Sequence, residues 1–150
     1  MSAKIKGILF LLSILTGPAT HAVSLSESSM NANYIVVPDD FRSIQDAINS
    51  AGIGSTIVVK AGLYTECLII DKSLTLVGEN GATIISQGRD HTVKITANNV
   101  SFSGFVLKGV ERSLWSGVYI RSLYNVVENN TITDHCYGIH IYDSSHNFLR

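Results

Sequence analysis

The residues with the most chemical content lie in the second half of the chain. Lys94, Tyr119 and His140 recur at one position of a repeating pattern, and Thr96, Arg121 and Tyr142 recur two residues further on. Stacked as neighbouring strands about 4.8 Å apart, these positions would form a strip of aromatic rings beside hydrogen-bonding and charged groups, a surface suited to an extended carbohydrate. Lys94, Tyr119, Arg121, His140 and Tyr142 are therefore the candidate carbohydrate-binding residues. A plainer origin competes with this reading, because aromatic side chains are ordinary strand formers on propensity alone. A second set, His135, Cys136 and His140, with His146 nearby, combines thiolate and imidazole, the donors that soft metal ions favour. Glu128, Asp134 and Asp143 are the acids of the later coils. Hydrolysis of a glycosidic bond calls for two carboxylates about 5 to 9.5 Å apart. The adjacent acidic pair Asp39-Asp40 belongs to an early turn, so no catalytic residue is assigned and the chain reads as a non-catalytic module.

A repeat positions these side chains. Gly117-Val118-Tyr119-Ile120 returns as Gly138-Ile139-His140-Ile141, 21 residues on, and repeats of this length built on alternating apolar residues are the mark of a stacked solenoid. Aligned copies give one apolar column, Leu68, Val93, Val118 and Ile139, with Ile70, Ile95, Ile120 and Ile141 beside it. Side chains alternate faces along a strand, so both columns point inward and Ile69, Lys94, Tyr119 and His140 point outward between them. A further column, Leu76, Phe102, Val127 and Leu149, fills the next face. Beside it, the position of Leu74 and Val100 becomes Asn125 and Asn147, read as an inward Asn pair bonding the backbone.

Short period-two strands are expected at Tyr34 to Val37, Thr56 to Val59, Cys67 to Ile70, Leu74 to Val77, Ala82 to Ile85, Thr92 to Thr96, Val100 to Ser103 and Phe105 to Leu107, with Lys60-Ala61-Gly62 as a turn. One segment is helical instead. Phe41, Ile44, Ala47, Ile48 and Ala51 share a face, Ser43 to Asp46 fits a capping box, and Gly52 supplies a stop. This amphipathic helix would cover the first rung, whose edge otherwise invites pairing. The fold class is all-β, a three-faced right-handed parallel β-helix of about four coils with an N-terminal capping helix.

Composition sets the bounds. A net charge of -1 over 150 residues lacks the basic footprint of a nucleic-acid binder, so no nucleic-acid partner is expected. The start, with Lys4 and Lys6, an apolar run from Ile8 to Leu15, Pro18 and Thr20-His21-Ala22, has the order of a secretory signal cleaved after Ala22. That run is shorter than the ~20 residues a spanning helix needs, so no membrane span is expected after cleavage. The sequence thus divides into a signal peptide at 1–22, a flexible Ser- and Asn-rich leader at 23–33, a strand and capping helix at 34–55, and β-helix coils from 56 to 150. The last coil lacks its third strand and a cap, which suggests a longer repeat protein cut short.

The stretch from Tyr34 to Ile85 resembles the N-terminal coil and capping helix of the pectin-lyase-like superfamily. Residues 117 to 147 are similar to the repeats of NosD-type periplasmic proteins and of the carbohydrate-binding and sugar hydrolase (CASH) domain. Together the resemblance covers residues 34–150. It implies the right-handed β-helix, export to the periplasm, cell surface or medium, and a polysaccharide or cell-surface protein as partner. An alternative it implies is a lyase, hydrolase or epimerase of acidic polysaccharides, but the signatures of pectin methylesterases and polygalacturonases have no counterpart here, Asn130-Thr131-Ile132-Thr133-Asp134 being a superficial echo. NosD-type proteins are associated with copper delivery, so copper is the cofactor that His135, Cys136 and His140 would suit; otherwise no cofactor is expected.

Cys67 aligns with Thr92, Gly117 and Gly138, three rungs from Cys136. That separation is roughly 14 Å at the sheet repeat and exceeds the ~7 Å reach of a disulfide, so two free thiols are expected. Asn99-Val100-Ser101 and Asn129-Asn130-Thr131 match the N-glycosylation acceptor pattern. Because turns in stacked β structure call for Asn, both are assigned to structure.

Overall fold

A computed structural model describes residues 34–111 and 113–150. The expected signal peptide and leader lie outside the described residues. The elements run β1 Tyr34–Val37, α1 Ile44–Ser50, β2 Thr56–Val59, β3 Gly62–Thr65, β4 Leu68–Ile70, β5 Thr75–Gly78, β6 Ala82–Ile85, β7 Val93–Ile95, β8 Ser101–Ser103, β9 Val106–Lys108, β10 Ser116–Ile120, β11 Val126–Glu128, β12 Thr131–Thr133, β13 Tyr137–Ile141 and β14 Phe148–Leu149. Every strand pairs in parallel with the strand one coil away. Three sheets result, β1-β2-β5-β8-β11-β14, β3-β6-β9-β12 and β4-β7-β10-β13. The chain is a parallel β-solenoid wound around one apolar core.

The register matches the aligned columns residue for residue. Leu68 pairs with Val93, Val93 with Val118 and Val118 with Ile139, while Ile69, Lys94, Tyr119 and His140 form the outward row between the columns. Leu76, Phe102, Val127 and Leu149 stack in the first sheet, and Ile35 and Ile57 extend that column at its start. Parallel stacking of like apolar residues lets each rung bury its apolar side against the same side of the next, so Leu68, Ile70, Leu76, Val93, Ile95, Phe102, Val118 and Ile120 are all fully buried. Phe102 and Phe105 stack inside with ring centroids 4.7 Å apart. Beside them, Gly104 sits at φ 84, and a Cβ there would collide with the Gly78 carbonyl. Only glycine fits so close an approach of two coils.

The Asn pair is a ladder. Asn125, 1% exposed, accepts the Val100 amide at 2.9 Å through Oδ1, and Asn147 Oδ1 in turn accepts the Asn125 amide at 2.8 Å. The Asn125 side-chain amide donates to Ser122 Oγ and Asn147 Oδ1, and Ser122 Oγ donates to the Ile95 carbonyl. Each buried polar atom in this chain of bonds therefore has a partner, which is what makes a polar group tolerable inside an apolar column.

Four details depart from expectation. Tyr34–Val37 is the first rung of the six-stranded sheet, so the winding begins before the helix and exceeds four coils on that face. Gly62–Thr65 is a strand, where the sequence showed a turn and a gap. Its alternation is masked because Leu63 faces solvent while Tyr64 points in and donates from its hydroxyl to the Lys60 carbonyl at 3.0 Å. The helix ends on Ala51 in extended conformation, so Gly52 is not a left-handed stop; the positive φ belongs to Gly54. At the helix start Ser43 accepts the Asp46 amide at 3.0 Å as expected. The first-turn amides of Ile44 and Gln45 donate instead to the two carboxylate oxygens of Glu66, each at 3.0 Å. A carboxylate there also complements the positive end of the helix.

The buried face of α1, Ile44, Ala47 and Ile48, lies against β1, β2 and β4. Gln45 completes the attachment. Its side-chain carbonyl accepts the Ile69 amide at 2.8 Å and its amide donates to the Ile69 carbonyl at 3.2 Å, imitating a strand along the free edge of β4.

Candidate functional site: the outward face of one sheet

The parallel register decides where the outward row points. In the β4-β7-β10-β13 sheet, Lys94, Tyr119 and His140 stand in one line, and Arg121 and Tyr142 follow the strand ends two residues later. The structure brings all five candidate carbohydrate residues to one face. Tyr119 and His140 meet edge to face with centroids 5.4 Å apart, and the Arg121 guanidinium lies over the Tyr142 ring at 5.8 Å. Such aromatic and cation–π contacts hold the rings in fixed orientations.

A groove of about 430 Å³ runs along this face, lined by Arg89, Asp90, His91, Lys94, Thr96, Trp115, Tyr119 and Arg121. Four of these were not found by sequence reasoning. Arg89, Asp90 and His91 precede β7, and Trp115 precedes β10, in connections that show no periodicity. The one available signal is the outward column extended backwards, because Ser116 already pairs with the rung above it in register.

His91 is the centre of the groove. Its ring stacks on Tyr119, with centroids 4.5 Å apart and planes 18° from parallel, and meets Trp115 edge-on at 5.1 Å. Nδ1 of His91 accepts the Ser116 amide at 3.0 Å, so the neutral ring carries its proton on Nε2. Burial pushes the His91 pKa below the ordinary value of 6.5, the Asp90 carboxylate works against this, and the neighbouring Lys94 ammonium reinforces it. Lys94 is paired with Asp90 at 2.5 Å, which leaves the guanidinium groups of Arg89 and Arg121 as the groove's remaining cations. The arrangement offers stacked rings, one oriented N–H donor and two planar donor groups along a shallow channel.

The metal set is not assembled. Among the described residues no three His, Cys, Asp or Glu side chains converge. His135 turns inward, with Nε2 2.7 Å from Thr92 Oγ1, and burial lowers its pKa. Cys136 is exposed, and His140 stands with Tyr119 on the outer face. The physical reason is position: His135 and Cys136 lie in the connection before β13, where strand alternation does not set side-chain direction, while His140 is held on the outer face within the strand. His135 and Cys136 do share a smaller cavity, of about 280 Å³, with Val110, Glu111, Ser113 and Asp134. Cys67 and Cys136 are free thiols. Of the later acids, Glu128 is paired with Arg150, and Asp134 and Asp143 occupy left-handed corners at φ 60 and 46.

No family model matches the chain, and no solved structure matches it. Among curated proteins, a cell surface glycoprotein of Methanothermus fervidus is 38% identical over 97 residues. The match takes in 61% of this chain but 16% of the relative, so the chain spans a small part of that protein's length. The parallel solenoid and this relative fit a surface-exposed module. No helix among the described residues is long and apolar enough to cross a membrane.

Proposed function

We propose that the chain is an exported, surface-located β-solenoid module that binds extended carbohydrate along the outer face of the β4-β7-β10-β13 sheet, without turning it over. The observation that carries this reading is the groove in which His91 stacks on Tyr119 between Trp115 and the guanidinium-bearing Arg89 and Arg121. Rings present flat faces to the apolar faces of pyranose rings, and fixed donors alongside them supply orientation. The strand repeat of about 4.8 Å makes the surface periodic, which suits a polymer better than a small solute. Lys94, Tyr119, Arg121, His140 and Tyr142 are the contacting residues in this reading, joined by His91 and Trp115. The NosD-type and CASH repeats that the sequence resembles accord with it, as does the relative named as a cell surface protein.

The test is direct because the chain has one tryptophan, Trp115, and it lines the groove. Titration of neutral and acidic oligosaccharides should change its emission and saturate, and Tyr119→Ala should weaken the response at least tenfold while leaving the thermal transition in place. Unchanged emission and no calorimetric heat with any oligosaccharide would overturn the proposal. Shortening of a polyuronide during the titration would replace binding by catalysis.

A further inference from the structure

The acceptor patterns at Asn99 and Asn129 separate from the structural asparagines once the side chains are placed. Asn98, Asn125, Asn130 and Asn147 all spend their side-chain oxygens on backbone amides of a neighbouring coil, those of Leu123, Val100, Phe105 and Asn125. Asn99 and Asn129 do not. Both are exposed, both stand at left-handed corners with φ 57 and 54, and among the described residues neither side-chain amide enters a hydrogen bond. Their backbones are held nonetheless: the Asn99 amide donates to the Leu123 carbonyl at 3.2 Å, and the Asn129 amide to the Arg150 carbonyl at 3.0 Å.

The left-handed corner does not by itself require asparagine. Tyr124, Asp134, Asp143 and His146 adopt the same conformation. By register Tyr124 occupies the corner one rung from Asn99, and Gly104 the corner one rung from Asn129. The hydroxyl two residues on is not required either, since Ser101 pairs with Val126 and Thr131 pairs with Val106 at equivalent strand positions. At both corners an unbonded, solvent-facing asparagine coincides with a strand-initial hydroxyl that the fold leaves optional. Thr131 is exposed and Ser101 half-buried.

We infer that Asn99 and Asn129 are sites of N-linked glycosylation. The modifying chemistry is transfer of an oligosaccharide from a polyprenyl phosphate or diphosphate carrier. The Asn Nδ2–C1 bond forms as the sugar C1–O bond breaks; the electron pair leaves on the phosphate oxygen, and one amide proton passes to a base of the transferring enzyme. Asn99 precedes β8 and Asn129 follows β11, its parallel neighbour, so the two glycans would stand at opposite strand ends of the six-stranded sheet. The inference rests on the export part of the proposed function and is independent of what the groove binds.

The experiment secretes the full chain, leader included, from a host with an N-glycosylation pathway, and reads intact mass and peptide maps on the exported material. Expected is one glycan on each of Asn99 and Asn129. Ser101→Val should remove the first alone and Thr131→Val the second alone, both keeping the wild-type thermal transition because valine already fills those strand positions in other coils. Asn130→Gln, which disturbs the Phe105 bond, should keep the glycan on Asn129. Bare Asn99 and Asn129 in exported protein overturn the inference, and a bare residue at one site overturns that site. A chain that stays inside the cell overturns the export reading instead. The glycosylation inference is then decided on the folded chain with purified oligosaccharyltransferase and lipid-linked oligosaccharide, where an unchanged mass overturns it.

Discussion

Counted from β4, the first and last coils of the solenoid carry the same kinds of residue in the same columns and sit in opposite surroundings. At the first, Leu68 and Ile70 are fully buried beneath α1, whose Gln45 pairs with the edge of β4 while Glu66 holds the helix start. At the last, Ile141 is 42% and Leu149 38% exposed, although their column partners Ile120 and Val127 are 0% and 2% exposed. An apolar column position is thus worth only what is stacked on it. The polar ladder follows the same rule: Asn125, with a coil on either side, is buried, whereas Asn147 in the last coil is half-buried.

Substitutions in one column should separate the two environments. Ile120→Ala removes a side chain enclosed by rungs on both sides and should cost about 2–5 kcal/mol, whereas Ile141→Ala should cost about 1 kcal/mol or less, measured by denaturant unfolding. Equal costs would show that the last rung is covered in solution. Next in size is Asn125→Ala. It strands the buried Val100 amide and should cost about 1–3 kcal/mol, more than Asn147→Ala at the exposed end. The reverse order would remove the ladder from the account.

The start of α1 gives a smaller effect. Glu66→Ala leaves the Ile44 and Gln45 amides without acceptors and should cost about 1 kcal/mol, with faster hydrogen exchange confined to the first helical turn; exchange that rises throughout the first coils would mean that α1 is needed for the rungs to form. Smallest is the response to acid. Burial holds the His91 and His135 imidazoles below their ordinary value of 6.5 in the folded protein, so as pH falls the unfolded chain binds protons first. The stability these groups allow is complete above about pH 6.5 and declines as pH drops through the window below it. His135→Gln should flatten part of that decline in unfolding midpoints measured between pH 7 and 5, and a midpoint that rises on acidification would contradict the burial of both rings.

The columns were readable because each strand contributes two or three inward residues, and in a parallel stack the same types must recur at the coil length. Leu68 to Ile141 follow that rule through rungs spaced 25, 25 and 21 residues apart. The outward row came with it, since alternation fixes both faces at once. The strand at Gly62–Thr65 escaped notice because its short run opens with glycine and shows its largest apolar residue to solvent.

What the linear order determined by itself is therefore the period, the inward set, the Asn pair and the face on which Lys94, Tyr119 and His140 stand, all consequences of local alternation. Tertiary stacking decided the rest. His91 meets Tyr119 and Ser116 across 25 or more residues of sequence, Glu66 reaches back to the helix start, and His135 turns from the outer face towards Thr92. These contacts join irregular connections from different coils, where no periodicity constrains side-chain direction and only the stacking of one coil on the next brings the residues together.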